Sequence, residues 1–365
     1  MQLKFYSRFN HDHLSVAGQD AVFALDDEGI DVLPILNGLG AGQDVYRFNR
    51  MKKLANKEEK GDFIHICLEM PEAAPLESLA RFNILWTDCD THYVPQKWVE
   101  KCRMFDALFV PSFFCKNSFQ ESGFDKPIFV IPYPFDKKRF TGKNFPNREK
   151  FKFLYFDSWK KANGYEELLN AYFTEFRGKD DVELHIMSSG TPENIEKSVV
   201  NVAGKTSFPL NILKYVEWNC DLLTNDFIPE FFSRYDCLVS PHYGKSFGLS
   251  IVQAMSLGMP VITTDFGGVQ DHCRNNTCYL VKSKQEKAVN NLEGAWYKKN
   301  MVWGRPQEED LRRCMRSAYE RVNADLKIES AKELVNRRYS YQQTCRKIKD
   351  ALNTMMTGIW DDLNV

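Results

Sequence analysis

Residues 236–272 read DCLVSPHYGKSFGLSIVQAMSLGMPVITTDFGGVQDH. Asp236–Ser240 is a short apolar run closed by proline, the pattern of a buried strand. Pro241–Ser246 carries turn chemistry. A helix is expected to start near Phe247–Gly248. It runs through Leu249, Val252, Ala254 and Met255 to Gly258. A second strand, Pro260–Thr264, leads to a Gly-Gly turn at Gly267–Gly268. A strand that ends in a small-residue turn opening a helix makes an anion site. The free backbone N–H groups and the positive helix end point at whatever lies above the turn. The same stretch also fits an ordinary strand–helix–strand unit of an α/β sheet.

The chain is 365 residues long, enough for two domains of ordinary size. It holds 48 basic and 49 acidic side chains, for a net charge of −1. The balance gives no reason to expect non-specific nucleic-acid binding. Arg47, Arg50, Lys52, Lys53, Lys57 and Lys60 cluster, interrupted by Glu58 and Glu59, and read as a solvated helix face. The ten cysteines form no C-x-x-C pair, which suits reduced core thiols such as Cys67 and Cys237. No apolar run approaches the ~20 residues that span a bilayer. The N-terminus reads as a first strand rather than a signal peptide. These features lead to the expectation of a cytoplasmic protein without an integral membrane segment.

Before the opening stretch, strands and helices alternate. Strands are expected at Leu3–Phe5, Asp31–Ile35, Asp62–Cys67, Phe82–Thr87, Ala107–Pro111 and Pro127–Ile131. Helices are expected at Leu14–Glu28, Trp98–Phe105 and Phe113–Ser122. A Gly-rich loop, Gly38–Gly42, follows the second strand. Ile131–Pro146, with three prolines and mixed charge, reads as a linker. Beyond it come strand Phe151–Phe156, helix Tyr165–Phe176, strand Val182–Met187, a long loop and helix Asp226–Tyr235. The tail is helical at Ser330–Arg338 and Tyr341–Met356. Strands separated by helix-length segments imply parallel, doubly wound sheets.

The opening stretch resembles the donor-binding segment of family four of the retaining glycosyltransferases of the GT-B fold. That family reads Glu-Gly-Phe-Gly-Leu, then Glu-Ala-Met, then Gly-x-Pro-Val-Ile and a Gly-Gly turn. Phe247, Gly248, Leu249, Ala254, Met255, Gly258, Pro260, Val261, Ile262, Gly267 and Gly268 match it. The two signature glutamates are replaced by Lys245 and Gln253. Further residues keep the family's order: Thr87, Asp90, Pro95, Trp98, Asp106, Val110-Pro111-Ser112, Phe119, Gly123, Val130-Ile131-Pro132 and Asp136. Trp303, Pro306, Leu311, Met315-Arg316 and Tyr319-Glu320 resemble the family's helix near the C-terminus. The resemblance implies an α/β protein of two Rossmann-like, doubly wound domains facing each other across a cleft. Residues 1–140 would form the acceptor domain and 141–340 the nucleotide-sugar donor domain. Residues 341–365 would form a C-terminal helix packing back on the first.

It also implies transfer of a sugar from a UDP- or GDP-linked donor to a hydroxyl, with retention and without metal or cofactor. Backbone N–H groups of Ser246, Phe247, Gly248 and Leu249 would hold the diphosphate. The loop after strand Phe151–Phe156 carries an Arg and a Lys in the family. Ser158 and Asn163 stand in those places here, with Lys160 and Lys161 between them. Lys245 only donates hydrogen bonds, so it is read as facing a diphosphate oxygen or a sugar carboxylate and restoring lost positive charge. Gln253 would accept from ribose hydroxyls more weakly than a carboxylate does. Val216 and Trp218 lie in the loop expected to receive the base, and His242 is expected beside the site. On the acceptor side stand His11 and His13, Asp90 with His92 at a strand end, and Glu69 at another. Lys245, Asp90 and His11 are the expected catalytic residues.

Two other readings stay open. With both glutamates replaced, the chain could be an inactive glycosyltransferase-like binding subunit. Asp88-Cys89-Asp90 is also the Asp-x-Asp with which transferases of the GT-A fold hold Mn²⁺ or Mg²⁺. The acceptor could be a glycan, a lipid-linked sugar, a protein or a modified nucleic-acid base. The last is possible but not indicated.

Overall fold

The computed structural model describes residues 1–8, 13–37, 45–140, 149–177, 181–206, 214–221, 223–288 and 301–358. His11, the Gly38–Gly42 loop and part of the expected linker lie outside them. The chain divides into two compact units. One comprises Met1–Lys137, Thr224–Asp226 and Arg337–Val365, and the other Lys138–Leu223 and Phe227–Asn336.

The first unit follows the order β1 (Gln2–Arg8), α1 (His13–Asp27), β2 (Val32–Asn37), α2 (Val45–Ala55), β3 (Phe63–Leu68), β4 (Asn83–Trp86), α3 (Gln96–Cys102), β5 (Ala107–Val110), α4 (Phe113–Glu121) and β6 (Ile128–Val130). Its strands form one parallel sheet in the order β2-β1-β3-β4-β5-β6. Ile64, Ile66, Leu85, Leu108 and Phe109 are fully buried, as expected where helices cover a parallel sheet. Ser112 caps α4 by accepting from the Cys115 amide.

The basic run at residues 47–60 departs from the expected solvated face. It contains α2, whose Arg47, Met51 and Leu54 are buried. Arg47 is 6% exposed and donates through Nη2 to Asp20 at 2.8 Å and through Nε to Gln19 at 3.2 Å. Burial opposes its charge, but Asp20 overcomes that and raises the guanidinium pKa. Arg50 pairs with Asp26 and Asp27. A buried acid on α1, invisible to local charge counting, turns one arginine inward.

The second unit runs β7 (Phe151–Phe156), α5 (Tyr165–Phe176), β8 (Val182–Met187), α6 (Pro192–Lys205), β9 (Val216–Asn219), α7 (Ile228–Phe232), β10 (Cys237–Ser240), α8 (Leu249–Leu257), β11 (Val261–Thr264), β12 (Tyr279–Val281), β13 (Ser283–Lys287), β14 (Val302–Pro306), α9 (Glu308–Tyr319) and α10 (Ala324–Arg338). Its parallel sheet has the order β12-β11-β10-β7-β8-β9, and β13 and β14 pair antiparallel. One core joins β7, β8, β10, α5, α6 and α9 through Phe153, Leu184, Val239, Phe173, Val199 and Met315.

The expected long loop after Met187 is largely ordered structure. Thr191 caps α6 through the Asn194 amide and Pro192 occupies its first turn. Ile195, Val199 and Val202 then bury one helical face. Val216–Asn219 is the edge strand β9, paired with β8, rather than loop. The expected helix Asp226–Tyr235 shortens to a 3-10 turn, Asn225–Phe227, and α7.

α11 (Tyr341–Thr357) belongs to the first unit, where it packs along α1. The Tyr341 hydroxyl donates to Asp20 at 2.7 Å, and Thr344 Oγ1 donates to the Pro132 carbonyl at 3.3 Å. None of the described helices is long and apolar enough to cross a membrane.

Candidate functional site

In open α/β sheets, ligands bind outside the carboxyl ends of strands where the strand order reverses. In the second unit that point lies between β7 and β10, which are adjacent and parallel. The segments leaving these two strands are Asp157–Gly164 and Pro241–Gly248. They are the two loops singled out above, and topology alone brings them together.

The loops are fastened to each other. The Tyr243 amide donates to the Ala162 carbonyl at 2.7 Å. Gly164 (φ 72°) packs so closely that a Cβ there would lie 1.8 Å from the Pro241 carbonyl oxygen. Only glycine accepts both that backbone angle and that approach. The Gly-Gly turn clamps the same loop from the other side: the Gly268 amide donates to the Lys245 carbonyl at 2.7 Å. A Cβ on Gly267 (φ 91°) would lie 2.6 Å from that oxygen.

Lys245 is ion-paired. Its Nζ lies 2.6 Å from Asp157 Oδ2, with the side chains 18% and 16% exposed. Asp157 Oδ1 accepts the Ser158 amide at 2.9 Å. Ser158 and Asn163 bond to each other: Asn163 Nδ2 donates to Ser158 Oγ at 2.7 Å and to its carbonyl at 3.1 Å. The Tyr155 hydroxyl donates to the Ser158 carbonyl at 3.0 Å. Lys161 is half-buried and Lys160 exposed.

α8 opens at Gly248 (φ 77°) with no side-chain cap, and its first backbone bonds run from the Ile251 and Val252 amides to the Gly248 carbonyl. Ser246 and Phe247 are buried, and Phe247 meets His272 edge-on at 5.5 Å. Leu249 is half-buried, and Gln253 is 2% exposed within α8. His242 is fully buried, with Nε2 3.1 Å from Thr263 Oγ1. Thr263 Oγ1 also lies 3.2 Å from the Ser240 carbonyl, to which it can donate. Burial, with Lys245 and His272 adding to it, pushes this imidazole well below its ordinary pKa. Val216 is buried and Trp218 packs partly buried against the core from β9.

Four residues in this region escaped sequence reasoning. Glu167 is 2% exposed on α5 and accepts from the Tyr243 hydroxyl at 2.6 Å and Arg305 Nε at 2.9 Å. Tyr243 in turn accepts the Gly304 amide at 2.7 Å. Glu167, Tyr243 and Arg305 thereby tie the β10–α8 loop to α5 and β14. They are far apart in sequence and form no motif. Asp157 directly follows a strand at the switch point, and that position was the signal available.

In the first unit the strand order reverses between β1 and β3. Arg8 ends β1 and Glu69 follows β3, and their side chains pair at 2.6 Å. Glu69 is buried and also accepts the Met70 amide at 2.7 Å. His13 begins α1. Asp90 is exposed just beyond β4. His92 pairs with Glu121 of α4 at 2.8 Å. Asp88 points differently from Asp90: it is buried and accepts the Tyr133 hydroxyl at 2.9 Å. Burial first, then Asp88, pushes the Tyr133 pKa well above its ordinary value, keeping it a donor. Among the described residues no group of three or more His, Cys, Asp or Glu side chains is arranged to hold a metal ion.

Residues 150–293 match the model of the family described as glycosyl transferases group 1. That segment spans β7 to β13 and includes both loops of the switch point. Among solved structures, Anabaena HepE in complex with UDP and glucose aligns at 14% identity and a TM-score of 0.66, covering 97% of this chain and all of that one. Sucrose-phosphate synthase from Thermosynechococcus elongatus aligns at 12% identity and a TM-score of 0.69, covering 98% of this chain and 100% of that one. A glycosyltransferase from Rickettsia africae aligns at 13% identity and a TM-score of 0.68, covering 97% and 98%. Curated protein sequences yield no match. Two Rossmann-like α/β units of this kind make the fold that of the GT-B proteins.

Proposed function

We propose that the protein is a retaining glycosyltransferase that moves a sugar from a nucleotide-sugar to an acceptor hydroxyl. The observation that carries this reading is the convergence of the uncapped α8 N-terminus and the Asp157–Gly164 loop at the switch point, within the segment matched to glycosyl transferases group 1. A diphosphate leaving group gathers negative charge, which oriented N–H groups and cations stabilise. The first-turn amides of α8, Ser246 and Gly248 would receive it, with Lys160 and Lys161 supplying charge. No metal is required by this arrangement. HepE crystallised with UDP-glucose supports a uridine donor. A UDP- or GDP-linked sugar is the proposed substrate, with the base near β9 and ribose toward Gln253. Asp90, His11 and His13 would serve the acceptor, and Lys245 the donor sugar. The site of action would be the cytoplasm.

A non-catalytic binding role is favoured by one observation: Ser158 and Asn163, where the resembling family carries cations, are neutral and bonded to each other.

The test is a panel of UDP-, GDP-, ADP-, dTDP- and CMP-sugars, followed by thermal stabilisation and nucleotide release with and without EDTA. Stabilisation plus EDTA-insensitive release by one donor is expected. Release abolished by EDTA would overturn the metal-independent mechanism. Stabilisation without release, even with acceptors added, would favour the binding role.

A further inference from the structure

We propose that the Lys245–Asp157 ion pair reads the donor sugar and selects a neutral, hydroxyl-bearing sugar over one that carries a carboxylate. The inference rests on the donor-site reading above and narrows its substrate class.

Both residues stand at the switch point, one on each loop. Each is held independently of the other. Asp157 is oriented by the Ser158 amide on Oδ1, and the Lys245 backbone is clamped through its carbonyl by Gly268. The pair is therefore pre-organised, and a ligand need not order it. At 2.6 Å and mostly covered, the two charges neutralise each other with little screening.

The lysine alone would favour an anion, but the pair does not. An ammonium has three N–H donors, and Asp157 Oδ2 takes one. The other two remain to donate, and the carboxylate oxygens keep lone pairs to accept. Sugar hydroxyls both donate and accept, so neighbouring hydroxyls complement a lysine and an aspartate side by side. A sugar carboxylate only accepts. It would compete with Asp157 for the ammonium and meet a like charge, the repulsive element that builds specificity.

The experiment measures dissociation constants by calorimetry for UDP, UDP-glucose and UDP-glucuronate, and for GDP, GDP-mannose and GDP-mannuronate. Wild type, Asp157→Asn and Lys245→Ala are compared. Wild type should hold the neutral sugar about tenfold more tightly than its uronate counterpart, as expected for one charge-assisted contact. Asp157→Asn keeps an acceptor for the Ser158 amide but removes the charge. It should shift the ratio toward the uronate by about tenfold. Lys245→Ala should weaken the neutral sugar without gaining the uronate. A merely structural ion pair would not reverse a ligand preference.

A wild-type preference for the uronate overturns the proposal without any variant. A ratio unmoved by Asp157→Asn overturns it too, while nucleotide binding leaves the donor site standing. If no nucleoside diphosphate binds, the donor-site reading and this inference fail together.

Discussion

Asn163 and Ser158 hold each other across a turn: one amide nitrogen reaches both the Ser158 hydroxyl at 2.7 Å and its carbonyl at 3.1 Å. Two residues that carry no charge thus set the path of the loop following β7. Asn163→Ala removes both bonds and should cost about 1 kcal/mol of stability. Urea unfolding gives that number. Donor affinity should drop in parallel, and an unchanged affinity would detach this loop from donor binding.

Gly164→Ala tests the fastening of the two loops. The new methyl would meet the Pro241 carbonyl at 1.8 Å in a left-handed backbone. Relief requires one loop to move, at a cost of about 3 kcal/mol. Gly123→Ala is the control, because it shares a positive φ but has nothing within 4 Å of its Cβ. Denaturation midpoints of the two variants should differ clearly. Equal midpoints would assign the whole effect to backbone angle.

Asp20→Asn addresses the first unit. Asp20 is 1% exposed and faces both Arg47 and Tyr341. Removing its charge strands a buried guanidinium, with an expected loss of about 3 kcal/mol. Tyr341→Phe leaves that ion pair intact and should lose about 1 kcal/mol. The same unfolding experiment ranks the two, and a reversed order would show that the hydroxyl rather than the ion pair carries the stability.

Stability should fall on mild acidification. His242 stays neutral in the fold because its pKa is depressed, while the unfolded chain protonates it near 6.5. Its contribution is therefore whole above about pH 6.5 and lost progressively below it, until the folded ring itself titrates. His65 and His185 are depressed as well, each by burial first, and act in the same direction. One such group contributes at most about 1.4 kcal/mol per pH unit. Unfolding free energies at pH 7 and 5.5 should show a smaller loss for His242→Asn than for wild type. Equal losses would remove His242 from the acid response.

The strands and helices legible in the sequence were those with a local signature. β7, α5 and β8 stand where the apolar patterns of Phe151–Phe156, Tyr165–Phe176 and Val182–Met187 predict them. The α8 segment was readable because Gly248 and Gly258 bracket it, both at positive φ. α6 was hidden, although Thr191-Pro192 is a start signal, because its polar face outweighs three spaced apolar residues. Arg47 could not be read as buried, since its partners Gln19 and Asp20 lie on another helix. For the candidate site, the two loops were legible as motifs, and strand order explains why they meet. The pairing of Lys245 with Asp157 was not legible. It depends on two backbone paths, each fixed by contacts remote in sequence.

The contacts closing the first unit have a consequence for its biosynthesis. Tyr341 reaches Asp20 across 321 positions, and Thr344 reaches Pro132 across 212. A ribosome therefore exposes all six strands of the first sheet, and then the whole second sheet, before α11 exists. Throughout that interval α1 presents its α11-facing surface uncovered. Until α11 is made, the first unit lacks one of its packing helices, and such incompletely covered surface is open to chaperones and to misassociation.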